Sequence, residues 1–167
     1  IAKDSLVPTT FGAATNLPDA KEILALKGDA AKGSMLIARC AMCHEVNDTF
    51  GGTDFGPNIA TFGQTQTRGV LLTALLNPSA DIAHAYDGYE VTMKNGKRIQ
   101  GLPYSSTDKT ITMKLFGGGL LTFAKSEVAK NGNQKMLKSL MPSASQMGLS
   151  AQEVRDIVEY LKTSSSK

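Results

Sequence analysis

The sequence predicts a mainly α-helical domain that carries a small antiparallel β-meander at about residues 86–124. Three observations predict it. Apolar residues recur at helical spacing on both sides of the middle of the chain. Between Tyr86 and Ala124 the spacing changes to two. The last segment opens with a helix-start signature at Ser150 and Glu153. At 167 residues and 41% hydrophobic content, the chain has room for one domain, or for one domain with a sizeable insertion.

Residues 1–28 read as an irregular lead-in, with Pro8, Gly12 and Pro18, ending in a short helical turn around Ala20–Leu26. Asp29 is an N-cap candidate for a helix through Ala41, because its carboxylate can accept the orphan amides of the first turn. Gly33, Leu36, Ile37 and Cys40 share one face of that helix. Residues 45–66 lose periodicity and collect Gly51, Gly52, Gly56, Pro57 and Gly63, the composition of a long loop. A helix follows over Arg68–Leu76 and stops at Asn77-Pro78, since the residue before proline avoids the helical region. Tyr89, Val91 and Met93 then alternate with polar residues, and Asn95-Gly96 predicts a type I′ hairpin turn. The arms Lys97–Tyr104, Thr110–Leu115 and Leu120–Ala124 complete four strands. In the final helix Ser150 and Glu153 form a capping box, Leu149 staples onto Val154, and Val154, Ile157, Val158 and Leu161 make one apolar stripe. Residues 164–167 read as a frayed tail. The helical domain is thus expected over 29–163.

Eighteen basic against fifteen acidic residues give a net charge of +3, far from the basic stripe of a nucleic-acid binder. No apolar run approaches the roughly 20 residues needed to span a bilayer. The start, Ile1-Ala2-Lys3-Asp4, shows neither Met nor an apolar signal core, so a removed signal or an upstream region is expected. Aromatic residues are 6% and Trp is absent, which is compatible with a large apolar cofactor without arguing for one.

The chemistry concentrates at Cys40-Ala41-Met42-Cys43-His44, the only two cysteines of the chain. A disulfide, a redox pair, half a zinc site and covalent haem attachment all begin with Cys-x-x-Cys. The adjacent His44 favours haem. Two intervening residues let both thiols reach neighbouring vinyl groups, and the next residue lies under the iron as proximal ligand. Zinc would need two more soft ligands, but His84 is the only other histidine and there is no third cysteine. A thioredoxin-like pair opens a helix after a strand, whereas this pair ends one.

Gly28-Asp29, Lys32-Gly33, Leu36-Ile37 and the Cys40–His44 motif resemble the first helix of mono-haem class I c-type cytochromes, with Tyr160-Leu161 on their final helix. In that family the small residue matching Gly33 allows a close helix crossing. Gly56-Pro57-Asn58-Ile59 resembles the family's Gly-Pro-x-Leu loop, which implies that the Pro57 carbonyl accepts the Nδ1–H of the proximal imidazole. Ser139-Leu140-Met141-Pro142 resembles the loop that delivers the distal methionine. The resemblance covers about residues 28–80 and 136–162 and implies a class I cytochrome c-like haem domain, with the β-meander as an insertion. Asn77-Pro78-Ser79, Gly88-Tyr89, the Asn-Gly hairpin and the late Ser-Leu-Met-Pro resemble, in turn, the planctomycete–verrucomicrobial type of haem-binding domain, often the terminal module of a dehydrogenase-like polypeptide.

Met141 is the expected sixth ligand, with Met136, Met147 and His84 as rivals; Met35, Met93 and Met113 read as core filler. Phe50, Phe55, Ile59 and Phe62 either pack on haem or cap the core. Arg68 either pairs with a haem propionate or begins a solvated helix. Lys125, Lys130, Lys135 and Lys138 form either a docking surface for an acidic redox partner or an ordinary solvated face. The expected function is one-electron transfer by one covalent haem c, with His44 and Met141 as axial ligands and no catalytic residue. The protein is either a free carrier or the terminal domain of a larger dehydrogenase. A peroxidase-like haem protein and a haem-based sensor are the rival readings. The resemblance implies a bacterial periplasmic location.

Overall fold

The computed structural model describes residues 4–8, 11–47 and 49–164, and within them four α-helices are followed by five strands and a fifth α-helix. Helix α1 spans Ala20–Ala25 and α2 Ala30–Leu36. Asp29 caps α2 as its sequence position suggests, accepting the amides of Ala31 and Lys32 at 3.0 and 3.2 Å. The helix does not run through Ala41 in α form. It tightens at Ile37 into a 3-10 stretch, Ile37–Met42, as helix ends often do. Both the Cys43 and His44 amides then converge on the Cys40 carbonyl, at 3.0 and 2.8 Å.

The expected long loop 45–66 contains a helix, α3 (Ile59–Thr65), started by Asn58 accepting the Thr61 amide at 3.2 Å. Its Gly63 weakens the helical signal because that position serves packing: a Cβ there would run into the Leu161 carbonyl. Helix α4 follows over Arg68–Leu76, and α5 over Ala151–Thr163 with the Ser150–Glu153 box formed in both directions. Leu149 and Val154 are buried together, as expected of the staple. Ser164 caps α5, while 165–167, most of the expected tail, lie outside the described residues.

Between α4 and α5 the chain forms β1 (Tyr89–Met93), β2 (Arg98–Ser106), β3 (Thr110–Lys114), β4 (Leu120–Ala124) and β5 (Val128–Lys135), all antiparallel in the order β4-β3-β2-β1-β5. The molecule therefore divides between helix and sheet rather than being mainly α. Strand β5 escapes a search for alternation because its sequence, VAKNGNQK, is nearly all polar. Main-chain pairing with β1 places it, and Gly132 lies where a Cβ would strike the Thr92 carbonyl. The β1–β2 turn also differs from expectation. Only Gly96 (φ +84) takes a positive φ, so the type I′ geometry, which needs Asn95 there too, is absent. Strand β2 works in halves: its start pairs with β1, its end with β3. The register shifts between Pro103 and Ser105, where proline brings no N–H to the ladder.

Two cores result. Helices α1, α2, α4 and α5 enclose Ile23, Ile37, Leu72, Val154 and Val158, all fully buried, and the sheet encloses Val91, Ile99 and Met113. A third cluster, Val7, Phe55 and Leu102, joins the loop after the Cys-x-x-Cys-His motif to the sheet. Its edge includes Cys43, Tyr86, Phe116 and Leu140.

Candidate functional site

The tight turn at Ile37–Met42 carries the Cys-x-x-Cys-His motif to the seam between the helical core and this joining cluster. Cys40 packs against the helical core and Cys43 against the joining cluster. Both are free thiols. Burial pushes the Cys40 thiol up to about 11, the neighbouring Cys43 adding to the rise, and burial also raises Cys43. Both sulfurs are therefore protonated at neutral pH.

His44 is buried, with 9% of its surface exposed. Its Nδ1 lies 2.7 Å from the Pro57 carbonyl oxygen. A carbonyl can only accept, so Nδ1 carries the proton and Nε2 keeps its lone pair. Burial lowers the imidazole's pKa and outweighs the opposing pull of the Pro57 carbonyl, so the ring is held neutral. A buried, neutral, oriented imidazole with a free Nε2 is a metal ligand in waiting.

The loop after the motif is built around this ring. The Gly56 amide donates to the Cys43 carbonyl at 2.5 Å and the Ile59 amide to the Glu45 carbonyl at 3.1 Å. Asn58 ties its side-chain amide to the Glu45 carboxylate at 3.1 Å. Gly56 lies against the imidazole itself: a Cβ would sit 2.5 Å from His44 Cε1. Gly52 (φ +134) faces the His44 carbonyl more closely still. Further out, Asn47 donates to the Tyr160 hydroxyl at 2.7 Å, fastening the loop to α5. Sequence reasoning missed Gly52, Asn47 and the ring contact of Gly56. The run of glycines was the available signal.

The remaining candidates separate. Met141 is half-buried and packs on the helical core with Cys40, its amide donating to Ser139 Oγ at 3.1 Å. Met147 packs on the same core. His84 is exposed on the link to β1. Met93 and Met113 fill the sheet core, but Met35 is 72% exposed and is no filler. Phe55 is buried edge-on to Phe116, and Phe50 is exposed. Arg68, the first residue of α4, grips Glu159 with two bonds, at 2.9 and 2.7 Å, locking α4 to α5. The four lysines 125, 130, 135 and 138 are exposed, and Lys135 pairs with Asp87 at 3.0 Å. Leu137, on the link from β5 to Met141, is 96% exposed.

Gly33 meets the backbone of α5: a Cβ would strike the Asp156 carbonyl. Helices α2 and α5 therefore cross almost backbone to backbone, just before the motif. The cytochrome c family model matches residues 30–165. The chain belongs to the cytochrome c family. Membership implies covalently bound haem and haem-based electron transfer. No curated protein matches the chain by sequence. The donor set at the motif of this cytochrome fits such a group. Two unpaired thiols precede, in the same motif, a buried imidazole whose second nitrogen is free, and no three His, Cys, Asp or Glu side chains gather as a metal site among the described residues. Nor is any helix among those residues long and apolar enough to cross a membrane.

Proposed function

We propose that this cytochrome is a one-electron carrier holding a single haem c through Cys40 and Cys43, with His44 and Met141 as axial ligands. The observation that carries the reading is the 2.7 Å bond from His44 Nδ1–H to the Pro57 carbonyl, made by the histidine that follows two free cysteines in the motif. Cys40 and Cys43 would hold the haem as thioethers, each S–H adding across one vinyl group, sulfur to one carbon and hydrogen to the other. Nothing is oxidised in that addition, which suits thiols that burial keeps protonated. The Pro57 carbonyl then fixes the imidazole plane and makes Nε2 a stronger donor. Gly56 leaves room for that plane. Met141 supplies a thioether, a soft ligand that favours ferrous iron and raises the potential. When bound, haem supplies the reversible one-electron change, and the protein supplies ligation, burial and orientation.

Met141 is preferred to Met147 because the next residue, Pro142, stiffens its peptide and because Ser139 holds its amide. Residues 29–163 form the haem domain in this reading, with the sheet between α4 and Met141 as an insertion. The partner is a redox protein or a fused dehydrogenase domain, met in the bacterial periplasm, where thioether formation of this type takes place. The reading assigns no catalytic residue.

Matured protein should keep its colour through acid–acetone extraction and lose it in Cys40→Ser/Cys43→Ser. The ferric form should show the weak far-red methionine–iron band, and the reduced form should bind carbon monoxide poorly. Met141→Ala should abolish the band and open the iron. An unchanged band in Met141→Ala would overturn the distal assignment, and a colourless mature protein would overturn the whole reading.

A further inference from the structure

The chain from Phe11 to Leu17 has no regular structure, yet it is bonded closely to one place, the loop between Met141 and α5. The Phe11 amide donates to the Gln146 carbonyl at 3.1 Å, and the Thr15 amide to the Ser145 carbonyl at 3.1 Å. Thr15 Oγ1 donates to the Leu149 carbonyl at 2.6 Å, and Ser145 Oγ donates back to the Thr15 carbonyl. All three polar groups of Thr15 thus engage this one loop. Leu17 packs on the helical core, the same core on which Met141 and Met147 pack.

The loop has other supports, and they show what Thr15 adds. Ser143 and Gln146 bond each other in both directions, at 2.8 and 3.3 Å, which shapes the turn. The Ala144 amide donates to the Leu75 carbonyl at 2.7 Å, which ties it to α4. On the other side of Met141, Ser139 is held by Ser79 Oγ at 3.0 Å. Ser79 and Leu75 both belong to the α4 side. The lead-in is a further support from the opposite end of the chain, and the anchored residues Ser139 and Ser145 bracket Met141 in sequence.

We propose that Thr15 is a positioning residue for the distal ligand, clamping the loop so that the Met141 thioether stays within reach of the iron. The inference rests on the proposed ligation by Met141. A thioether is the weaker of the two axial donors, and its departure needs the loop to swing locally while the rest of the fold stays closed. A clamp that resists the swing lowers the population of the open form without touching either ligand.

The test uses the matured, haem-loaded protein. Thr15→Val keeps the side chain's shape and deletes the hydroxyl donor. One lost hydrogen bond of ordinary net strength should raise the rate of carbon monoxide binding to the reduced protein about fivefold. Thr15→Ser should return it to the wild-type value. Ser145→Ala, which removes the reciprocal bond, should act in the same direction and serves if Thr15→Val does not fold. A residue that only supported the fold would lower the unfolding midpoint and leave the binding rate of the folded protein unchanged. Unchanged rates in the variants, with a raised rate in Met141→Ala, would overturn the clamp and spare the ligand reading. An unchanged rate in Met141→Ala itself would overturn both.

Discussion

A methyl group added at position 56 would lie 2.5 Å from Cε1 and 2.6 Å from Nδ1 of His44. Neither side has slack, because the ring is pinned by Pro57 and the Gly56 amide by the Cys43 carbonyl. Gly56→Ala should therefore tilt the imidazole off the Pro57 carbonyl and lose about 2 kcal/mol of stability. Chemical denaturation reads the loss, and the ferric spectrum reads the tilt. A variant with wild-type stability and spectrum would show that the contact is not a constraint. The Cys40–His44 motif was legible because the chemistry of thioether attachment dictates such a spacing, and the bond from His44 to the Pro57 carbonyl was legible from the family resemblance. The contact of Gly56 was not, because a glycine's use depends on what approaches it from elsewhere in the chain. The same holds for Arg68, whose partner Glu159 is 91 residues away.

Helix α5 is the element on which the others converge. Gly28, Gly33 and Gly63 all lie against it, from the start of α2, from its middle and from α3. Its Asp156 is buried and caps the approaching chain by accepting the Asp29 amide at 2.8 Å. Glu159 binds Arg68 from α4 and also Arg155 at 2.8 Å. The hydrogen bond from Arg68, then that from Arg155, hold the Glu159 carboxyl down to about 2 from its ordinary 4.5. The unfolded chain thus binds a proton here at a pH where the folded chain does not. Stability from this group is complete above about pH 4.5 and fades as the pH falls towards 2. Glu159→Gln should be less stable than the wild type near pH 6, with the gap narrowing steadily in acid. Thermal melts across that range check it, and a gap that does not change with pH would refute it. At this scale the helices were legible wherever periodicity and caps agreed, as at Asp29 and Ser150. Strand β5 was hidden because its place is decided by the free edge of β1, which no local pattern records.

Across the whole molecule, the helical and sheet cores meet at a small cluster, and Phe55 is its largest fully shared member, 5% exposed between Val7 and Leu102. The lead-in adds a second link, since Ser5 pairs with β2 through its amide to the Arg98 carbonyl at 2.9 Å. With cores joined this way the two halves should melt as one unit. Phe55→Ala should cost about 3 kcal/mol and bring the helix and sheet signals down together. Two separated transitions in the wild type would show that the sheet folds by itself. A mixed α and β outcome was only half legible. The sequence advertised four strands and an order of helices, but how the sheet would seat on the loop after His44 depends on Phe55, Phe116 and Val7 coming from three distant stretches. One consequence follows from the bare side chain of Leu137. It marks a place where an endoprotease with a taste for large apolar residues can cut without disturbing either core. The nick would release a short piece bearing Met141 and the last helix from everything before it. Because that helix crosses the first cytochrome helix almost backbone to backbone at Gly33, the two fragments should stay together in native buffer and part only in denaturant, a split protein that still carries its pigment.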